Sequence, residues 1–155
     1  MVREKIAPLL LKLYKPAVMK YLQQIRKLYI KEENVKNYQL FRLRKLLLHA
    51  YKNTEYYHKI FDDIGLIRED KINWTTFPKI PVLNKQIIRE HFNDLLAKDH
   101  KQRNPYQNTS GGSTGEPVIF IQDQDYMDRM VADTLYFGEI AGKQLGEKEV
   151  KIWGS

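Results

Sequence analysis

The chain has 155 residues, of which 43% are apolar and none is cysteine. That suffices for one domain's core or part of a larger one, excludes a disulfide framework or a thiolate metal site, and leads us to expect a reducing, cytoplasmic setting. The formal charge of +7 is regional, because residues 1–60 carry 14 Lys/Arg against 4 Asp/Glu whereas residues 61–155 carry 12 against 15. A basic segment ahead of a nearly neutral body argues against a nucleic-acid groove and for an arm facing a membrane surface or a partner. No uninterrupted apolar run approaches the roughly 20 residues that span a bilayer. Lys12 and Lys15 break up Leu9-Leu10-Leu11 and Leu13, so a cleavable leader is not expected.

From the N-terminus, Ile6, Leu9, Leu10, Leu13, Ala17, Leu22, Ile25 and Leu28 recur at helical spacing with lysines and arginines between them. This predicts amphipathic helix, with Pro8 suited to a first turn and Pro16 dividing the segment in two. Residues 1–30 are then either a peripheral membrane anchor or a helical arm docked on the domain with its charges solvated. Limited aromatic content, Tyr14, Tyr21 and Tyr29, favours the docked arm. Asn37 is the expected N-cap of a second helix with the stripe Leu40, Leu43, Leu47 and Ala50, ending near Asn53. A third, short helix follows over Glu55–Phe61 and stops at Gly65. His49 and His58 have no Ser or Cys nucleophile motif beside them, and Asp62-Asp63 lacks the further carboxylates of a metal site.

In Phe77-Pro78-Lys79-Ile80-Pro81 each proline pushes its predecessor out of the α region, so an extended approach is predicted. Asn84 then caps a helix whose inward face is Ile87, Ile88, Phe92, Leu95 and Leu96. His91 and Asp94 share a face at i, i+3, but two ligands without a third make a poor metal site. Residues 98–105 turn polar and read as a loop or mobile edge.

Thr109-Ser110-Gly111-Gly112-Ser113-Thr114-Gly115-Glu116-Pro117 concentrates small, hydroxylated and glycine residues as no other stretch does. Glycines without Cβ let successive N–H groups converge on an anion, and the hydroxyls add donors. The stretch lacks the Gly-Lys-Ser/Thr of a Walker loop and the spacing and following helix of a dinucleotide fingerprint. Tyr106-Gln107-Asn108 before it and Val118-Ile119-Phe120-Ile121 after it read as strands, so it joins two strands. A flexible Ser/Gly linker is the competing reading, and flanking apolar runs with a terminal Glu-Pro speak against it. Asp123 or Asp125 caps a last helix bearing Met127, Met130, Val131, Thr134, Leu135 and Gly138, and Val150–Trp153 reads as a strand. The alternating acids at 123–128 lack the Gly and distal Glu of a calcium loop.

Ser110-Gly111-Gly112-Ser113-Thr114-Gly115-Glu116-Pro117 resembles the phosphate loop of the adenylate-forming superfamily of acyl-CoA ligases. Val118, where many members carry a basic residue, points to the phenylacetate-CoA ligase branch and its CapK-like relatives in capsular polysaccharide biosynthesis. His49–Phe61 and Phe77–Leu96 resemble the N-terminal helices of the same families. The resemblance implies an α/β fold, the N-terminal part of an adenylate-forming large domain. Its first hundred or so residues are helix-rich, and strands around a phosphate loop follow. On this reading 1–36 is a basic helical arm and 37–155 an incomplete AMP-binding domain. Thr109, Ser110, Gly111, Gly112, Ser113, Thr114 and Gly115 hold ATP phosphates while a carboxylate attacks the α-phosphate, and CoA or another nucleophile accepts the acyl group. The family's Mg²⁺-binding aromatic-Gly-x-Thr-Glu segment, ribose-binding Asp, hinge and lid Lys are not found, so a truncated or split ligase, inactive alone, is expected. Uncovered apolar surface would favour association. The alternative is a non-catalytic basic helical module that docks on a membrane or partner protein.

Overall fold

The computed structural model describes residues 2–110 and 117–148, with side chains from Ile6 onward. In chain order the elements are α1 (Val2–Tyr14), α2 (Pro16–Leu28), α3 (Glu32–Asn53), α4 (Glu55–Asp63), β1 (Ile67–Arg68), β2 (Lys71–Ile72), a 3-10 turn (Phe77–Lys79), α5 (Lys85–Glu90), α6 (Phe92–Leu95), a second 3-10 turn (His100–Arg103), β3 (Pro105–Thr109), β4 (Ile119–Asp123) and α7 (Gln124–Ile140). This is a helix-rich mixed α/β arrangement in which β1 pairs with β2 and β3 with β4, both antiparallel. The expected strand at Val150–Trp153 lies outside the described residues.

The two prolines of the basic arm act differently. Pro16 ends α1 and opens α2: Lys15 leaves the helical region at φ −137 and ψ 60, as a residue before proline tends to, and Pro16 takes the first helical position. Pro8, expected in a first turn, lies inside α1, which runs through it. The expected cap at Asn37 is also corrected. α3 starts five residues earlier, at Glu32, because Glu32 and Glu33 put negative charge at the positive end of the helix dipole. Its stripe is buried only toward the C-terminus, at Leu47 with Leu43 and Ala50 packed beside it, while Leu40 stays exposed.

Thr54 joins α3 to α4. Its hydroxyl donates to the Ala50 carbonyl at 2.9 Å and accepts from Tyr57 N at 3.3 Å, so one buried side chain satisfies the end of one helix and the start of the next. α4 ends as expected at Gly65, with φ +63. Gly65 N donates to Asp62 O at 3.0 Å and Leu66 N to Phe61 O at 2.8 Å, and Leu66 and Phe61 are both buried in one cluster. This is the Schellman arrangement with its apolar contact. The hairpin that follows was not anticipated. Glu69 and Asp70, with φ 49 and 58, form its two-residue turn in place of the usual Asn-Gly.

Two further expectations need correction. Phe77 precedes a proline yet belongs to a 3-10 turn, held by Phe77 N to Trp74 O and Ile80 N to Phe77 O, whereas Ile80 before Pro81 is extended as predicted. The segment after Asn84 is two short helices that break at His91 (φ −110, ψ 25), with the His91 ring 2.9 Å from Asp94 across the break. Asn84 does cap the first of them, accepting from Ile87 N at 2.9 Å.

The chain divides into two compact units, one from Met1–Val35 with the stretch from Asp125 onward, the other Lys36–Gln124. In the first, Val18, Leu22 and Ala132 form the buried centre, with Leu11, Ile25, Leu135 and Tyr136 around it. Met130 and Val131 of the expected α7 pattern are exposed instead. Asp125 does not cap α7 but sits in its first turn, accepting from the Tyr21 hydroxyl and from Arg129 Nε, while the Arg129 guanidinium stacks 3.9 Å from the Tyr21 ring centre. Arg26 pairs with Glu139 on α7, Nε to Oε2 at 2.9 Å, and this contact raises the Arg26 pKa.

In the second unit, Leu47, Phe61, Leu66 and Ile67 make the core. The expected loop at 98–105 contains a 3-10 turn and Asn104 in the left-handed region at φ 49. That turn carries Arg103, whose Nη2 lies 2.8 Å from Asp123 at the open end of the β3–β4 hairpin. Arg103 Nη1 is 3.2 Å from the His49 ring on α3, and Lys98 N donates to Asn53 O at 2.8 Å. The hairpin base is therefore fastened to the C-terminal end of α3.

Two outcomes are expected. Gly65→Ala lowers stability by about 1–2 kcal/mol in urea unfolding, since the new Cβ meets only Arg68 Nη2 at 3.9 Å and the cost is the positive φ alone. An unchanged midpoint would contradict the left-handed Gly65. A double-mutant cycle of Arg103→Ala with Asp123→Ala yields a coupling of about 0.5–1 kcal/mol, in the range for partly exposed ion pairs, and additive effects would dismiss the anchoring role.

Candidate functional site

The candidate site is the far end of the β3–β4 hairpin. Its register pairs Pro105 with Asp123, Tyr106 with Gln122, Gln107 with Ile121, Asn108 with Phe120 and Thr109 with Ile119. One step further, Ser110 N donates to Val118 O at 2.9 Å and Val118 N donates to Ser110 Oγ at 3.0 Å. Val118 is buried, which holds the returning strand in place. The two ends of the glycine-rich stretch are thus brought side by side. Two strands joined by that stretch is the arrangement the apolar runs on either side predicted.

Of the expected phosphate ligands, Thr109 ends β3 and Ser110 closes the hairpin. Gly111, Gly112, Ser113, Thr114 and Gly115 lie outside the described residues. The hydrogen bonds at the rim limit what Thr109 and Ser110 can offer a ligand. Thr109 N already donates to Asn108 Oδ1 at 2.8 Å and Ser110 N to Val118, so neither amide is available to an anion. Ser110 Oγ accepts from Val118 through a lone pair, which leaves its hydroxyl hydrogen to donate. Asn108 was not anticipated. Its amide donates to Gln122 Oε1 at 2.9 Å across the strands while its carbonyl oxygen holds Thr109 N, so one side chain stiffens the hairpin just below the rim. An Asn immediately before the glycine-rich stretch is its sequence signal, since Asx side chains bond nearby backbone.

Beside the hairpin is an open cavity of about 310 Å³, lined among others by Leu83, Phe92, Leu96 and Ile121, with Tyr57, His100, Arg103 and Asp123 as its charged or titratable members. The half-buried Tyr57 hydroxyl has its pKa raised, first by burial and then by neighbouring Tyr56, so it remains a neutral donor around neutral pH. His100 Nδ1 is 2.7 Å from the Ala97 carbonyl and donates to it, which makes Nε2 the acceptor of the neutral ring. An apolar wall with a few polar groups is the usual composition of a small-molecule pocket. The sequence lined up Ile88, Phe92, Leu95 and Leu96 as an inward face without indicating that β4 stands opposite them.

The titratable groups at the end of α3 and on α4 are engaged with one another. His58 Nδ1 donates to the Tyr51 carbonyl at 2.9 Å and its Nε2 is 3.5 Å from Asp62, which also accepts from the Tyr51 hydroxyl at 2.8 Å. Among the described residues no cluster of three or more His, Asp or Glu could hold a metal ion.

Comparison with known proteins finds likeness to three curated relatives. The chain is 30% identical over 103 residues to protein CapK of Staphylococcus aureus, covering 66% of this chain and 22% of that protein. It is 25% identical over 107 residues to a phenylacetate-coenzyme A ligase of Aromatoleum evansii (67% and 24%) and 24% identical over 87 residues to one of Thermus thermophilus (56% and 20%). The chain therefore spans between a fifth and a quarter of the length of these relatives. No family model and no solved structure matches it. The likeness is to distant proteins of these two names.

Proposed function

We propose that this chain is the N-terminal portion of an ATP-dependent, adenylate-forming ligase in which residues from about 37 onward belong to the AMP-binding domain and Thr109 to Gly115 hold the ATP phosphates. The observation that carries the reading is the sequence Ser110-Gly111-Gly112-Ser113-Thr114-Gly115-Glu116-Pro117 between two strands that pair antiparallel. Likeness to CapK and to two phenylacetate-coenzyme A ligases also supports it.

The reaction on this reading joins a carboxylate oxygen to the α-phosphorus of ATP and releases pyrophosphate. The acyl group then passes, with release of AMP, to CoA, the acceptor named for two of the relatives, or to another nucleophile, and a place in capsular polysaccharide assembly would follow the CapK likeness. The protein's part in the first step is to position the phosphates and neutralise charge. With the Thr109 and Ser110 amides engaged in the hairpin, the grip falls to the Thr109, Ser110, Ser113 and Thr114 hydroxyls and to amides within 111–115. Mg²⁺ would supply the charge neutralisation that neutral hydroxyls cannot, and its ligand is not among the residues assigned here. These 155 residues therefore bind ATP weakly and do not adenylate by themselves.

The test is carboxylate-dependent exchange of labelled pyrophosphate into ATP, run on this chain and on a version continued with the downstream sequence of CapK. Exchange is expected from the continued version and not from the short chain. Ser113→Ala with Thr114→Ala should lower it about a hundred- to ten-thousandfold, as the loss of two hydrogen bonds to a charged group implies. Exchange unaffected by the double substitution would remove the phosphate role from the loop. Exchange by neither form, across aromatic and aliphatic acids, would overturn the ligase reading.

A further inference from the structure

α1 and α2 have the same length, yet their apolar faces meet different fates. In α2, Val18 and Leu22 are buried with Ala132 of α7. α1 reaches that cluster through Leu11, while Ile6, Leu9, Leu10 and Leu13 are 43%, 67%, 46% and 68% exposed and Tyr14 is 74% exposed. Positions 6, 9, 10 and 13 fall on one side of a helix, so α1 carries an uncovered apolar stripe from Ile6 to Leu13, about 11 Å long.

The charge around the stripe indicates what covers it. From Met1 to Lys31 the sequence holds eight Lys/Arg and a single acid, Glu4. Lys12 and Lys15 stand exposed beside the stripe. The exposed apolar residues of α7, such as Val131 and Phe137, are instead interspersed with Asp128, Asp133 and Glu139, which an anionic surface would repel. A protein groove would accept a row of leucines, but it does not call for positive charge over thirty residues. An anionic bilayer surface matches both features at once.

We infer that α1 is an interfacial helix that lies flat on an anionic lipid surface. Ile6, Leu9, Leu10 and Leu13 enter the boundary between headgroups and acyl chains, Tyr14 sits at headgroup level, and Lys12 and Lys15 meet the lipid phosphates. Among the described residues no helix is long and apolar enough to cross a membrane, so the contact is peripheral. The assignment stands on α1 alone and does not depend on the ligase reading.

Co-sedimentation of the whole chain with phosphatidylglycerol vesicles and with phosphatidylcholine vesicles tests it. Binding is expected to the first and not the second, and it weakens as salt is raised. Lys12→Gln and Lys15→Gln should each lower the partition coefficient about fivefold, the effect of one basic residue near such a surface. Leu9→Ser with Leu13→Ser should abolish binding, and because both side chains are already exposed the circular dichroism spectrum stays unchanged. Tyr14→Trp supplies a second readout: brominated acyl chains should quench it beyond the background of Trp74 and Trp153. Equal binding to neutral lipid, no binding to either, binding that survives the leucine substitutions, or no added quenching at Trp-substituted Tyr14 each overturns the inference. Self-association lost with Leu9 and Leu13, without vesicle binding, would assign the stripe to a second copy of the chain.

Discussion

Ser110 and Val118 hold the two ends of the glycine-rich stretch a hydrogen bond apart, and the candidate site depends on that closure. A run of glycines and hydroxyl residues is entropically costly to order, and most of that cost lies in bringing its ends together. The β3–β4 ladder does this in advance. Burial of Val118 and the double use of Asn108 keep the ladder from slipping, and a one-residue slip would turn Ile119 and Ile121 to the opposite face. The same closure has a chemical consequence, since it takes the Thr109 and Ser110 amides out of play and leaves side-chain hydroxyls as the rim's donors.

The hairpin is placed by what lies beneath it. Thr54 turns the chain from α3 into α4 with both helix ends satisfied, and Phe61 and Leu66 lock the far end of α4 into the core with Leu47 and Ile67. Arg103 then links that framework to Asp123 at the hairpin base. Each ion pair is worth little alone because it is partly exposed. Set beside a buried helix junction, the Arg103–Asp123 pair orients the hairpin more than it stabilises the fold.

The basic arm separates into two roles that its composition does not distinguish. α2 contributes Val18 and Leu22 to a core with Ala132, and the Tyr21–Asp125–Arg129 cluster and the Arg26–Glu139 pair flank it. α1 keeps Leu9, Leu10 and Leu13 in solvent and sends only Leu11 to that core. The break at Pro16 makes this possible, because two helices joined at a residue outside the helical region can present their apolar faces in different directions.

Local chemistry legible in the sequence determined the helix stop at Gly65, the cap at Asn84, the division at Pro16 and the strands on either side of the glycine-rich stretch. Each rests on a backbone preference carried by one residue or by a short apolar run. What the sequence could not determine depended on partners far along the chain. Asn37 looked like a cap but is helix interior, since the first-turn acids at Glu32 and Glu33 open α3 earlier. Met130 and Val131 share a helical period with Leu135, yet the side of α7 that packs is the one whose small Ala132 lets Val18 and Leu22 approach. The turn at Glu69-Asp70 lacks glycine and was invisible locally, because pairing of Ile67 with Ile72 holds two ordinary residues at positive φ. Likewise only the tertiary structure decided that Arg103, one cation in a polar run, reaches Asp123, and that the apolar side of α5 and α6 faces β4 across a cavity. Periodicity reports which residues seek burial, and the fold alone decides which of them find it.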